Sequence, residues 1–279
     1  MSIVVNTNAT SLSLQQSLSG SVSDVKSSMA RLASGVRVNS AADDAASLAL
    51  SKKLSAQTSS SNVAKNNANT AINMFQTMDS DLAQVQSNLQ RMRDLATQAA
   101  NGVYSDTERS MLDKEFGALW EENARIIKSS KFADKNLFNV TADGGDNFYF
   151  NTASADVQIG TNNKAEDRLS FGSTTVGIDS PWVSSQLYGQ TSIDCMDDAI
   201  KSVSSARSQI GATINRLQGS VTRTDTRKEN LTNATSTIVD TDYGSETASL
   251  TKSQILEQSN VAIMQQAKQQ SAMALQLLQ

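Results

Sequence analysis

Apolar residues recur along this chain at alternating steps of three and four, in several separate stretches. The first runs Leu14, Leu18, Val22, Val25, Met29, Leu32 and Val36. The second runs Ala68, Ala71, Phe75, Met78, Leu82, Val85, Leu89, Met92, Ala96 and Ala99 without a break. Such alternation keeps one stripe on one side of a helix and is the seam of a left-handed coiled coil. A further helix after Ser105-Asp106 carries Met111, Leu112, Phe116, Leu119, Ile126 and Ile127. In the C-terminal half Ile193, Met196, Ile200, Val203, Ile210, Ile214, Leu217, Val221, Leu231 and Ile238 share one register, with Arg207, Thr224, Lys228 and Thr235 as its exceptions. A helix over that span would extend about 60–70 Å at the standard rise. A weaker stripe near the end runs Leu256, Ile263, Ala267, Ala274 and Leu278.

The breaks between these stretches are as legible as the stripes. Ser34-Gly35 separates the first two helices, Asn39-Ser40 opens the second, and Asp43-Asp44 fall in its first turn, where carboxylates suit the positive helix end. Asn101-Gly102 is a good stop, and Ser105-Asp106 caps the next helix. From Lys135 to Gly189 the texture changes. Leu137 to Val140 and Phe148 to Phe150 flank Asp143-Gly144-Gly145-Asp146, a hairpin signal. Val157 to Ile159 and Leu169 to Phe171 read as further short strands in a small, polar, peripheral region. The predicted fold is mainly α: an elongated antiparallel helical bundle or coiled coil formed by the N- and C-terminal halves, with a small β-hairpin region. Residues 44–134 and 190–238 make the helical rod, 135–189 the β-hairpin and loop region at its outer part, and 1–43 with 239–279 a terminal coiled coil.

Charge changes the picture at the two ends. Met1 to Ser23 holds no Asp, Glu, Lys or Arg, and Gln258 to Gln279 holds only Lys268. The faces opposite the stripes there are Ser, Gln, Asn and Ala, where a solvated helix carries Lys and Glu. Such helices expect neighbours on several sides, as in an assembly. A single proline, Pro181, leaves long helices uninterrupted, and a 5% aromatic content is thin for a thick globular core. The net charge of -4, with no basic stripe interleaved with aromatics, argues against nucleic acid.

Candidate chemistry is sparse. The chain has no histidine and one cysteine, Cys195, which excludes histidine acid–base chemistry, Cys/His zinc sites, the usual triads and an internal disulfide. Cys195 lies beside the Ile193–Met196 seam and reads as a small buried hydrophobe. Asp43-Asp44 and Asp240 with Asp242 read as caps and intersubunit polar contacts. Asp143 to Asp146 lacks calcium-loop spacing. No catalytic, cofactor or metal residue is expected, and no enzyme. Neither a signal peptide nor a membrane span is recognisable, so export by a route other than a cleaved signal is expected.

Several ordered motifs resemble those of bacterial flagellin, the subunit of the flagellar filament. They are Val5-Asn6-Thr7-Asn8, the run from Met29 to Ala41 followed by Asp43-Asp44-Ala45-Ala46, Asn66 to Asn69, and Leu89 to Leu95. Near the end they are Asp240 to Tyr243 with Glu246, Lys252 to Leu256, and Leu275 to Leu278. The departures are Asn123, where an apolar residue is usual, Thr237 in a commonly basic place, and Ser271 where proline is frequent. The resemblance implies a structural protein that self-assembles into a hollow helical filament for swimming, with a hook–filament junction protein as the alternative within the same structural class. An enzyme and a free helical adhesin or signalling coiled coil are the readings from other classes; the missing histidine opposes the first and the charge-free ends oppose the second.

The resemblance further implies that the terminal coiled coil lines a channel, with Leu14, Leu18, Val22, Val25, Met29, Leu32, Leu256, Ile263, Ala267 and Leu278 packing the filament core. The ends would fold on assembly, since alone they have no surface to bury. Implied partners are further copies of the chain, the flagellar cap and hook–filament junction proteins, an export chaperone at the C-terminal end and the flagellar type III export apparatus, with no nucleic acid and no membrane. The implied location is secreted, extracellular, in the flagellum. Gln90, Arg91, Arg93, Asp94, Leu95 and Glu115 form a subunit contact. Arg91, Leu95 and Glu115 also match the motif recognised by a host Toll-like receptor. The large outer domains of longer members are absent from this short, core-only form.

Overall fold

The computed structural model describes residues 9–142, 148–178 and 183–276. Five α-helices dominate: α1 (Ala9–Ser34), α2 (Ala45–Ala99), α3 (Asp106–Ser129), α4 (Gln186–Val239) and α5 (Tyr243–Gln276). Between α3 and α4 lie short antiparallel strands: β1 (Lys131–Phe132), β2 (Lys135–Asn136), β3 (Phe138–Ala142), β4 (Phe148–Thr152), β5 (Ala155–Gln158), β6 (Arg168–Phe171) and β7 (Thr175–Ile178). The chain divides into two compact units, one of residues 1–58 and 229–279, the other of residues 59–228.

In the second unit the α2 stripe forms the seam its spacing predicts. Phe75, Met78, Leu82, Val85, Leu89 and Met92 are fully buried, and Ala64, Ala68, Ala71, Ala96 and Ala99 continue the same row. Helix α4 runs antiparallel to it, as the cross-links Lys65–Asp225, Arg207–Asp79 and Arg93–Asp197 show. Only half of the α4 register behaves as its apolar pattern predicts. Met196, Val203, Ile210 and Leu217 are buried, but the alternate seam positions are Ser192, Ala199, Ala206, Thr213 and Ser220. Ile193, Ile200, Ile214 and Val221 stand half-buried beside the seam. Small side chains bring α4 close to α2. At the end of α2 a Cβ on Gly189 would lie 2.8 Å from the Ala100 backbone nitrogen, so only glycine fits.

Helix α3 folds back along α2. Its start is a capping box: the Ser105 side chain accepts from the Glu108 N–H, and the Glu108 carboxylate accepts from the Ser105 N–H at 2.8 Å. Arg109, buried, donates to the Ala99 and Asn101 carbonyls and so ties off the end of α2. Asn123 is buried where an apolar residue was expected. The Asn88 amide donates to its Oδ1 at 2.8 Å, and its own amide donates to the Met92 sulfur, so the polar group is satisfied.

The strands are less peripheral than their polar texture suggests. β3 and β4 pair as the expected hairpin, and the Asp143 to Asp146 turn lies outside the described residues. β7, unforeseen, adds to the free edge of β4, and β5 pairs with β6. A tight β1–β2 hairpin, also unforeseen, turns through Ala133 and Asp134, both at positive φ. Leu137, Phe138, Phe150, Leu169, Phe171 and Val176 all join the helical core, with Phe171 edge-on to Phe75 at 4.9 Å and Phe138 edge-on to Phe150 at 5.5 Å. The sheets therefore cap an apolar core rather than hang from it.

In the first unit α1 and α5 pack antiparallel. Their register is marked by Tyr243, whose hydroxyl donates to the Leu32 carbonyl at 3.3 Å, and by Asn260, whose amide donates to the Ser21 hydroxyl at 3.2 Å. The segment between α1 and α2 is irregular, so Asp43 and Asp44 do not sit in a helical first turn. Asp44 is the residue before α2 and accepts from the N–H groups of Ala46 and Ser47, a true N-cap. Asp43 instead accepts from the N–H groups of Asn39 and Ser40 and closes the preceding turn.

Candidate functional site

The seam between α1 and α5 is built from the wrong-looking residues. On α1 the most buried positions are Ser21 and Ser28, flanked by half-buried Leu14, Leu18, Val25 and Leu32. Their partners Val22 and Met29 in the expected stripe are 46% and 54% exposed. On α5 the half-buried row is Glu246, Leu250, Ser253, Glu257, Asn260, Met264 and Ala267. Leu256 and Ile263, expected to pack, are exposed instead, as are Ile255 and Val261. Ala267 lies in the seam, and Leu278 lies outside the described residues. Two helices therefore meet through serine, asparagine and glutamate mixed with Leu14, Leu18, Val25, Leu32, Leu250 and Met264, while presenting Leu12, Val22, Met29, Ile255, Leu256, Val261 and Ile263 outward. In a lone subunit the apolar residues are thus divided, part of them half-buried in a seam shared with polar side chains and part facing water.

The base of this pair is braced by backbone. Gly35, at φ 72°, ends α1, and its N–H donates to the Arg31 carbonyl at 2.8 Å. Val36 and Asp240 form an antiparallel bridge. The Arg37 N–H donates to the Val239 carbonyl at 2.6 Å, and its guanidinium donates to the Ile238 carbonyl at 2.8 Å. Close by, Arg31 and Glu246 approach only to 3.8 Å. Arg31 Nε, Thr241 Oγ1 and Glu246 Oε1 are buried here with no hydrogen-bond partner, an unusual grouping in one small region.

The second set of expected site residues lies on the other unit. Gln90 and Asp94 are exposed on α2. Arg91 donates to Glu115 of α3 at 2.6 Å, and Arg93 pairs with Asp197 of α4 at 2.5 Å. The Asp197 carboxyl is held below the usual carboxylate range by the hydrogen bond from Arg93 and by its charge. Leu95 stands apart from the other five: it is completely buried in the core, out of reach of any partner while this unit stays folded. The structure thus brings Arg91 together with Glu115 and leaves Leu95 to packing.

The carboxylates singled out in sequence are structural. Asp43 is held below its ordinary value by the N–H and hydroxyl of Ser40, and Asp44 by the hydroxyl and N–H of Ser47. Among the described residues no group of three or more His, Cys, Asp or Glu side chains could hold a metal, and no helix is long and apolar enough to cross a membrane. Sequence reasoning missed the serines of the seam. The signal that could have found them is their heptad spacing, Ser21 and Ser28, echoed by Ser253 and Asn260.

Comparison with known proteins accords with this geometry. Residues 5–143 match the model of the bacterial flagellin N-terminal helical region, and residues 193–278 that of the C-terminal helical region. A flagellin of Halalkalibacterium halodurans is 31% identical over 99% of this chain and 100% of its own length. A flagellar filament 33 kDa core protein of Treponema phagedenis is 32% identical over 99% and 100%. Among solved structures, a putative flagellar hook-associated protein from Vibrio parahaemolyticus covers 69% of this chain and 97% of its own, with TM-score 0.52 and 16% identity, a likeness of fold alone.

Proposed function

The chain belongs to the bacterial flagellin family and is a structural subunit of the flagellar filament, and from that premise we propose that its α1–α5 pair is the part that drives polymerisation. The apolar residues left outside the pair, Val22, Met29, Leu256 and Ile263, pack against the same helices of neighbouring copies, and the half-buried Leu14, Leu18, Val25, Leu32 and Ala267 complete that packing from the edge of the seam. The inner shell around the channel is then 1–43 with 239–279, the next shell 44–134 with 190–238, and the β region of 135–189 faces outward. Arg91, Arg93, Asp94, Gln90 and Glu115 contribute a second, polar subunit contact, with a host Toll-like receptor as a further partner for that face.

The observation that carries this reading is the divided seam: Ser21, Ser28, Ser253 and Asn260 occupy places between the helices, while Val22, Met29, Leu256 and Ile263 stand outside them. Fully burying an exposed Val, Leu, Ile or Met side chain contributes about 1.5–3 kcal/mol, and Val22, Met29, Leu256 and Ile263, already about half covered, retain part of that gain for association. Extracellular location, export by the type III apparatus with a chaperone on the C-terminal end, and contact with cap and junction proteins follow from filament membership. Purified chain, seeded or salted out, tests the reading by pelleting, negative-stain electron microscopy and circular dichroism. Long filaments with a gain of helix are expected; persistent monomer in the presence of seeds overturns it.

A further inference from the structure

A cleft of about 380 Å³ opens in the second unit between the β5–β6 sheet and α4. Arg168, Arg216 and Arg223 line it against a single carboxylate, Glu166. Arg168 is held in place by Gln158 and Asn163. Arg216 and Arg223 are exposed and make no hydrogen bond or ion pair among the described residues. Ser220, in the same wall, is only 7% exposed, and its hydroxyl has no partner. Gly219 completes the wall. No atom lies within 4 Å of where its Cβ would be, so no close contact requires glycine here as one does at Gly189.

We propose that this cleft is a subunit-docking site that receives Asp194 and Asp198 of a second copy of the chain, an inference that rests on the filament reading. Asp194 and Asp198 lie one turn apart on α4, both exposed and without a hydrogen-bond or ion-pair partner among the described residues. They cannot serve their own cleft. Asp198 and Arg216 are on one continuous helix, 18 residues or roughly 27 Å apart. Two complementary patches at separate places on one surface make a head-to-tail contact, the kind that propagates into an open helical array instead of closing a ring. Opposed charges also fix register and penalise wrong pairings. Arg216 and Arg223 supply the forked donors that carboxylates take best, with the Ser220 hydroxyl as a further donor.

The test uses the full chain in the same polymerisation assay, with a cleft variant (R216E with R223E) and a patch variant (D194R with D198R). Each alone is expected to raise the minimum concentration for filament growth by about tenfold or more, with helix content and thermal unfolding of the soluble subunit unchanged. An equal mixture of the two restores growth near the wild-type concentration, because each variant's cleft then meets the other's patch. The inference is overturned if either variant polymerises like wild type. It is equally overturned if neither the mixture nor a subunit carrying all four changes recovers growth. Wild-type chain that never polymerises removes the filament reading and this docking contact with it, whereas the variants alone decide the contact.

Discussion

The two units solve opposite problems with the same element. In residues 59–228 the long apolar side chains face inward, from Phe75 to Met92 on α2 and from Met196 to Leu217 on α4, and ion pairs such as Arg207–Asp79 and Arg91–Glu115 decorate the outside. In the α1–α5 pair of the other unit Ser21, Ser28, Ser253 and Asn260 share the inward face with a few half-buried leucines, and Val22, Met29, Ile255 and Ile263 face out. The first arrangement is that of a core closed within the unit, and the second leaves apolar surface that the proposed polymerisation would cover.

That contrast can be broken most severely by removing one side of it. Deleting Met1–Val36 or Val261–Gln279 is expected to abolish filaments while a soluble, cooperatively unfolding helical middle survives; electron microscopy and thermal denaturation of the same samples report both halves. The converse change, Phe75→Ala, removes a fully buried ring from the apolar core and is expected to cost about 3–5 kcal/mol of stability, measured by urea denaturation of monomer. Next in size is Val22→Ser with Met29→Ser. Both side chains are exposed in the subunit, so monomer stability is expected to hold within about 0.5 kcal/mol. Filament growth should still need roughly tenfold more protein, read by sedimentation across a concentration series.

A smaller effect separates satisfied from unsatisfied polarity inside the second unit. Asn123→Leu leaves the Asn88 amide without its buried acceptor and is expected to cost about 1–3 kcal/mol, whereas Asn123→Leu with Asn88→Leu recovers most of that loss. The smallest effect concerns acid. Asp43, Asp44, Glu108 and Asp197 all have carboxyls held below their ordinary values, the first three by N–H and hydroxyl donors of neighbouring serines and the last by Arg93. A lowered folded value stabilises the fold above the unfolded value near 4 and loses that contribution as pH falls through the folded one. Subunit helicity is therefore expected to stay flat above about pH 5 and to decline below about pH 4, starting at the capped ends of α2 and α3, where amide exchange would show it.

Sequence pattern read the second unit far better than the first. The α2 seam was legible residue by residue because Phe, Met, Leu and Val were available to mark it, and Ala kept the spacing. On α4 the isoleucines at 193, 200 and 214 drew the register toward themselves, and Ser192, Thr213 and Ser220 gave no hydrophobic signal although they occupy the seam. β7 escaped because Thr175–Ile178 is four residues long and contains a glycine. At the ends the charge-free composition signals burial on several sides, and the subunit supplies only one of them, the α1–α5 contact. Composition could not say which side the subunit itself supplies, since hydrophobicity records what is to be buried and not by whom. Leu95 shows the limit of motif matching: it stands next to the exposed Asp94 but falls on the buried face three residues after Met92, so the motif joins residues from two faces of the helix.

The backbone splice at the base of α1 has a consequence in time. The Gly35 carbonyl accepts from the Thr241 N–H and the Arg37 N–H donates to the Val239 carbonyl, which bridges Val36 between them to Asp240, about two hundred residues further along. No local contact replaces them, and loops of that length close late, after nearer pairings have formed. A chain emerging end first therefore holds its N-terminal segment open until almost the last residue has arrived. Under the proposed export route, that delay would keep the chain passable until the start of its last helix follows, and the arrival of Val239–Thr241 would be the signal to lock.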